Sequence, residues 1–225
     1  MKTRKFWGFF LALTMILTIN IFPASRVDAA GTRQVLLIQS IKPWGLNTNN
    51  DLLAGFQTSG VISGYDERTF AQVNAADFDL SGYVMVMIAN SQNYSAYNAT
   101  TKAKLEAYAQ AGGVILFGAC CHSTMPISIN LPGDVEVSLD FQANNVIADP
   151  ASPVVTGILS NHVALTNSDL IGNSCSHTSF TEATLPVGAN VILRAKTNNK
   201  PTLAEYPLGN GKVIVSGLTW EYYNN

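Results

Sequence analysis

The chain has 225 residues, 47% of them hydrophobic and 12% charged, with 13 basic and 15 acidic side chains for a formal net charge of −2. That much apolar sequence speaks for a folded core rather than a disordered chain. The absence of clustered Lys or Arg after the first residues speaks against a nucleic-acid partner or an anionic lipid surface, both of which need a basic footprint.

The first 29 residues read as a secretory signal peptide. Lys2, Arg4 and Lys5 precede an apolar run from Phe6 to Phe22, Pro23 breaks it, and Val27-Asp28-Ala29 offers a cleavage site before Ala30. An uncleaved membrane anchor is the rival reading, because the run approaches the shortest length that spans a bilayer. Removing the leader takes away four basic residues and one acid. Residues 30–225 then form a single 196-residue domain with nine basic and fourteen acidic side chains, net −5. This places the protein outside the cell or at the envelope, with no membrane contact after cleavage.

Arg33–Ser40 is a short apolar run ending in polar residues that reads as a buried strand, followed by a loop with Pro43, Trp44 and Gly45. Asn50-Asp51 is expected to cap a helix through about Ser59. A weaker strand falls within Val61–Phe70. Tyr83–Asn90 is apolar on both faces, as a central parallel strand should be. Asn98–Ala111 is the clearest helix, stopped by Gly112-Gly113, and Val114–Gly118 is a further apolar strand. This alternation predicts an α/β fold: a flavodoxin-like open, mostly parallel sheet with helices on both faces. Later come a strand over Val135–Phe141, a turn-rich link at Asp149–Pro153, and three short strands at Ala189–Ala195, Thr202–Tyr206 and Lys212–Gly217. Their Asn and Gly turns predict an antiparallel C-terminal extension of the sheet. The last strand is followed by too few residues for a covering helix, which suggests a module of a larger multidomain protein.

Ligands of such sheets bind beyond the carboxyl ends of the strands. Asn90 falls there, and so do Trp44, Tyr94 and Tyr97. So does Ala119–Thr124, where Cys120 takes the position of a nucleophile elbow. The run GGVILFGACCHS resembles the strand and elbow of the class I glutamine amidotransferase-like superfamily. DPASPVVTGI, NSCSHTSF and PTLAEYPLGNGKVIVSGLTWEY resemble a secreted bacterial branch of it. The resemblance implies Cys120 as nucleophile and His177 as its histidine. Two departures weaken glutaminase chemistry: His122 stands where the family has glycine, and Ser179 stands where it has a glutamate. Glu182, Glu205 and Glu221 are the carboxylates that could take the missing role.

Two readings of the site stay open. In one, the domain is a non-catalytic binding or auxiliary module. In the other it is a cysteine-dependent hydrolase using Cys120, with His177 or His122 as base. A disulfide from Cys175 to Cys120 or Cys121 competes with the second, and a metal cluster of these Cys and His residues fits no standard zinc spacing. No cofactor is called for. Trp44, Asn90, Tyr94 and Cys121 are the expected ligand-binding residues, and the rim aromatics point to a carbohydrate or cell-wall ligand.

Overall fold

Three strands are hydrophobic on both faces, so they must be covered on both. They are β1 (Gln34–Ile38), β3 (Met85–Ile88) and β4 (Val114–Gly118). The computed structural model describes residues 34–121, 129–157 and 163–223. The expected leader, His122 and His162 lie outside those residues.

Alternate side chains of these strands feed two separate cores. Val35, Leu37, Met85, Met87, Val114 and Leu116 face one layer, and Leu36, Ile38, Val86, Ile88, Ile115 and Phe117 face the other. Helix α1 (Thr48–Thr58) covers the first layer with Leu52, Leu53 and Phe56. Helix α3 (Ala99–Gln110) covers the second with Leu105, Tyr108 and Ala109, helped by the single turn α2 (Phe70–Val73). Asn98 caps α3 by accepting the Thr101 backbone N–H at 3.1 Å, so the sequence reading of that helix holds to within a residue.

β2 (Gly64–Arg68) completes one edge, and the nine strands run in the order β2-β1-β3-β4-β9-β8-β7-β5-β6. The pairs β2-β1, β1-β3, β3-β4 and β4-β9 are parallel. β9 (Gly211–Ser216) then turns the sheet antiparallel through β8 (Pro201–Leu208), β7 (Asn190–Ala195), β5 (Val137–Ile147) and β6 (Ile171–Phe180). Parallel and antiparallel pairings are thus equal in number, and the sheet is less parallel than the sequence suggested. The expected C-terminal meander is present, joined by a two-residue turn at Gly209-Asn210.

Three segments differ from the sequence reading or were not assigned by it. The strand expected over Val135–Phe141 runs instead from Val137 to Ile147, bent by register shifts between Leu139 and Asn144. Residues Pro153–Thr156 form the short helix α4, because Ser152 accepts the Val154 N–H and Pro153 is suited to a first helical turn. The segment Ile171–Phe180, whose polar residues hid it, is a ten-residue strand. A last turn of helix, α5 (Trp220–Tyr223), brings Trp220 into the first core. Among the described residues no helix is long and apolar enough to cross a membrane.

Candidate functional site

β2 and β3 flank β1 on opposite sides, so the chain reverses its direction of travel across the sheet there. The carboxyl ends of β1 and β3 mark a topological switch point. Beyond them lie buried polar side chains of the protein itself. Asn90, just past β3, makes five bonds, four of them to Glu221, Leu218 and Cys120 and the fifth to Gln92. Its backbone N–H donates to Glu221 Oε1 at 3.1 Å, and its Nδ2 donates to Glu221 Oε2 at 2.5 Å and to the Leu218 carbonyl at 2.9 Å. Its Oδ1 accepts the Cys120 N–H at 2.9 Å. Asn49 of α1 adds Nδ2 bonds to Glu221 Oε1 and Gln39 Oε1, at 3.2 and 3.1 Å. Gln92 ties the loops together, its Oε1 accepting the Ser40 and Ile41 N–H groups and its Nε2 donating to the carbonyls of Ile41 and Asn90.

Glu221 and Asn90 are wholly buried, and Asn49 nearly so. Burial pushes the Glu221 carboxyl up to about 7, against the pull of the Asn90 and Asn49 donors, which favour the charged form. The carboxylate that the elbow lacked in sequence is therefore near it in space. Its hydrogen bonds go to Asn90 and Asn49. Glu182 instead pairs with Arg194 at 2.6 Å, and Glu205 with Lys212 at 2.6 Å.

The elbow cysteine departs from what a nucleophile needs. Cys120 is completely buried. Burial first, and then the charge of Glu221, raise its thiol pKa well above the ordinary value; a hydrogen bond from the His177 backbone amide acts the other way and is outweighed. Its Sγ lies 4.0 Å from the Cys121 carbonyl oxygen. That carbonyl also accepts His177 Nδ1–H at 2.5 Å, so Nδ1 carries a proton. His177 thus comes to the elbow, held by the backbone of Cys121. Cys120, Cys121 and Cys175 are all buried thiols, so the expected bridge from Cys175 is not formed. No group of three His, Cys, Asp or Glu side chains among the described residues is arranged to hold a metal.

Of the expected ligand-binding residues, only Trp44 reaches the surface, and it is half-buried. Asn90 and Cys121 are sealed in. Tyr94 and Tyr97, expected on the rim, are buried; Tyr94 donates to the Gly118 carbonyl at 2.7 Å and Tyr97 to the Asn130 carbonyl at 3.2 Å. Both pack on Phe117, with ring centroids 6.4 and 5.5 Å away. Their hydroxyls bridge loops that would otherwise leave carbonyls unpaired, which is the usual task of a buried tyrosine.

Sequence reasoning named Trp44 and His177 but missed Phe141 and Tyr222, with which they form an aromatic row. The Trp44 ring lies 6.1 Å from His177 and 6.1 Å from Tyr222, and His177 lies 4.7 Å from Phe141. Phe141 and Tyr222 are about half exposed, at 48% and 53%. Backbone strain gathers at this end of the sheet: Trp44, Ser91 and Ser174 hold φ values of +52°, +56° and +60°. Such conformations cost ~1–3 kcal/mol each in non-glycine residues and concentrate at functional positions. Ser91 Oγ is buried with no hydrogen-bond partner among the described residues.

No family model matches the chain. It is 27% identical over 208 residues to an uncharacterized protein of Clostridium acetobutylicum; the match covers 90% of this chain and 20% of that protein. The chain thus spans about a fifth of the length of that curated relative. Solved structures to which it is similar include a glutamine amidotransferase from Thermotoga maritima, at 10% identity over 84% of this chain and 76% of that one, TM-score 0.47. A putative ThuA-like protein from Bacteroides uniformis is similar at 13% identity over 88% and 85%, TM-score 0.47. An exo-β-1,4-mannosidase from an Opitutaceae bacterium is similar at 13% identity over 84% and 32%, TM-score 0.48.

Proposed function

We propose that this chain is an exported amidotransferase-like domain that acts as a non-catalytic binding or auxiliary module, carried within a larger protein of the envelope or extracellular space. The observation that carries the reading is the state of Cys120. A thiol nucleophile needs access and a lowered pKa. This sulfur has no access, and both of the largest influences on it raise its pKa. The switch-point end of the sheet supports the same reading, since polar side chains are buried there and already bonded: Asn49 and Asn90 donate to Glu221, Gln39 accepts from Asn49, and Gln92 bonds the loop backbone.

Iodoacetamide labelling of the folded protein at pH 8, read by peptide mass, is expected to leave Cys120 unmodified, whereas labelling in urea modifies all three cysteines. Rapid stoichiometric labelling of native Cys120, with a pH midpoint below the ~8.5 of an ordinary thiol, would instead establish the cysteine-hydrolase alternative with His177 as base. Export rests on the leader residues, Lys2 to Ala29. The intact mass of secreted material is expected to begin at Ala30, and protein retaining Met1 in the culture medium would refute cleavage there.

A further inference from the structure

We propose that Trp44, Phe141 and Tyr222, set around the buried ring of His177, form a stacking platform for a sugar ring. The inference rests on the binding-module reading and assigns its ligand surface.

The first support is the price the backbone accepts to present Trp44. A tryptophan at φ +52°, ψ +19° stands in the left-handed region, where a bulky side chain is a genuine outlier. The turn is fixed on both sides by Gly45 N–H donating to the Lys42 carbonyl and Leu46 N–H donating to the Pro43 carbonyl, each at 3.0 Å. Glycine would suit position 44 without strain, so the indole is there for what its ring does. It does not fill the core: the ring is half-buried and lies between His177 and Tyr222.

The second support is the chemistry of the row. The interplanar angles of 75°, 59° and 47° between successive rings make a stepped surface rather than a flat apolar one. The negative faces of aromatic rings attract the slightly positive C–H bonds on the face of a pyranose. Polar groups able to meet hydroxyls adjoin Phe141. Asp140 Oδ2 accepts Asn198 Nδ2 at 2.9 Å and Asp140 Oδ1 accepts Gln142 Nε2 at 2.5 Å, while Thr197 donates to Gln142 Oε1. Such planar amides and carboxylates match vicinal hydroxyls. Two lysines lie beside these groups: the charge of Lys200 acts on Asp140, and Lys42, two residues before Trp44, donates from Nζ to Asn47 Oδ1.

The test uses the mature domain and a panel of neutral probes: chitotetraose, cellotetraose, mannotetraose and xylotetraose. Calorimetry and tryptophan fluorescence report binding. At least one probe is expected to bind saturably. Trp44→Gly, which keeps the left-handed turn without strain, is expected to weaken it tenfold or more with no loss of melting temperature. Phe141→Ala is expected to weaken it similarly. Absence of saturable binding across the panel overturns the sugar assignment, and binding unchanged in both variants overturns the site. A concentration-dependent dimer abolished by Phe141→Ala would make the row a contact between copies, again overturning the proposal. Reactive Cys120 in the labelling experiment would overturn the non-catalytic reading while leaving these outcomes separate.

Discussion

Replacing Glu221 with alanine is expected to destabilise the domain by about 3–5 kcal/mol, because three buried donors lose their acceptor at once and each orphaned group costs about 1–3 kcal/mol. The donors are the Asn90 N–H, Asn90 Nδ2 and Asn49 Nδ2, and together they hold the ends of β3 and α1 to the chain beyond β9. Glu221→Gln keeps the shape and should cost much less, but it removes a titration. The folded chain holds the Glu221 proton up to about pH 7, the unfolded chain only to its ordinary 4.5. The contribution of this proton is therefore fully present below pH 4.5 and is lost as pH rises to about 7, a change of about 3 kcal/mol at 1.36 kcal/mol per unit. Urea unfolding of the wild type should give a higher midpoint at pH 5 than at pH 8, and the Glu221→Gln midpoint should lack this component. A Glu221→Ala variant within 1 kcal/mol of wild type, or an unaltered pH slope in Glu221→Gln, would remove Glu221 from the centre of the network.

This network explains why the parallel half of the fold was legible in sequence and its site was not. Val35–Ile38, Met85–Ile88 and Val114–Gly118 announce themselves because strands covered on both faces can carry no polar residue. Asn98 announces the start of α3 because few residues can cap a helix. By contrast, Asn49, Asn90 and Glu221 are 172 positions apart at the extremes and meet only through the parallel pairing of β1, β3, β4 and β9. No local period reports that meeting. β6 was hidden for a related reason. Ser176, Thr178 and Ser179 are buried polar residues whose partners come from other segments, such as the Ala119 carbonyl that accepts Thr178 Oγ1 at 3.2 Å.

The resemblance of GGVILFGACCHS to an amidotransferase elbow pointed to the carboxyl end of β4, where Cys120 and Cys121 meet Asn90 and His177. It could not report the environment that decides the chemistry there. Thiolate character depends on solvent and charge around the sulfur. Here the solvent is shut out and the nearest influential charge is negative. The expected rim aromatics divide by one rule: Tyr94 and Tyr97 are buried because their hydroxyls can bond buried carbonyls, whereas Trp44 stays half-buried on a strained turn. Phe141 is exposed because β5 is irregular between Leu139 and Asn144, a feature no single-strand pattern encodes.

Gly217→Ala is expected to be the most damaging single-methyl addition at the site. Gly217 follows β9, and its N–H donates to the Thr202 carbonyl at 2.8 Å while its carbonyl accepts the His177 N–H at 2.9 Å. A Cβ at this position would stand 2.1 Å from the Thr178 carbonyl oxygen and 2.7 Å from Thr178 Oγ1. The first obstacle is backbone, so no side-chain rotation relieves it; β6 must move away from the end of β9. Overpacking of this kind costs about 1–3 kcal/mol, and a backbone clash belongs at the upper end. The movement would draw His177 off the Cys121 carbonyl and open the cover over Cys120, so this variant should both unfold at lower urea and label at Cys120 without denaturant. Gly82→Ala is the matched control, since nothing lies within 4 Å of its added Cβ. Wild-type stability and an inert Cys120 in Gly217→Ala would mean that β6 is not what seals the elbow.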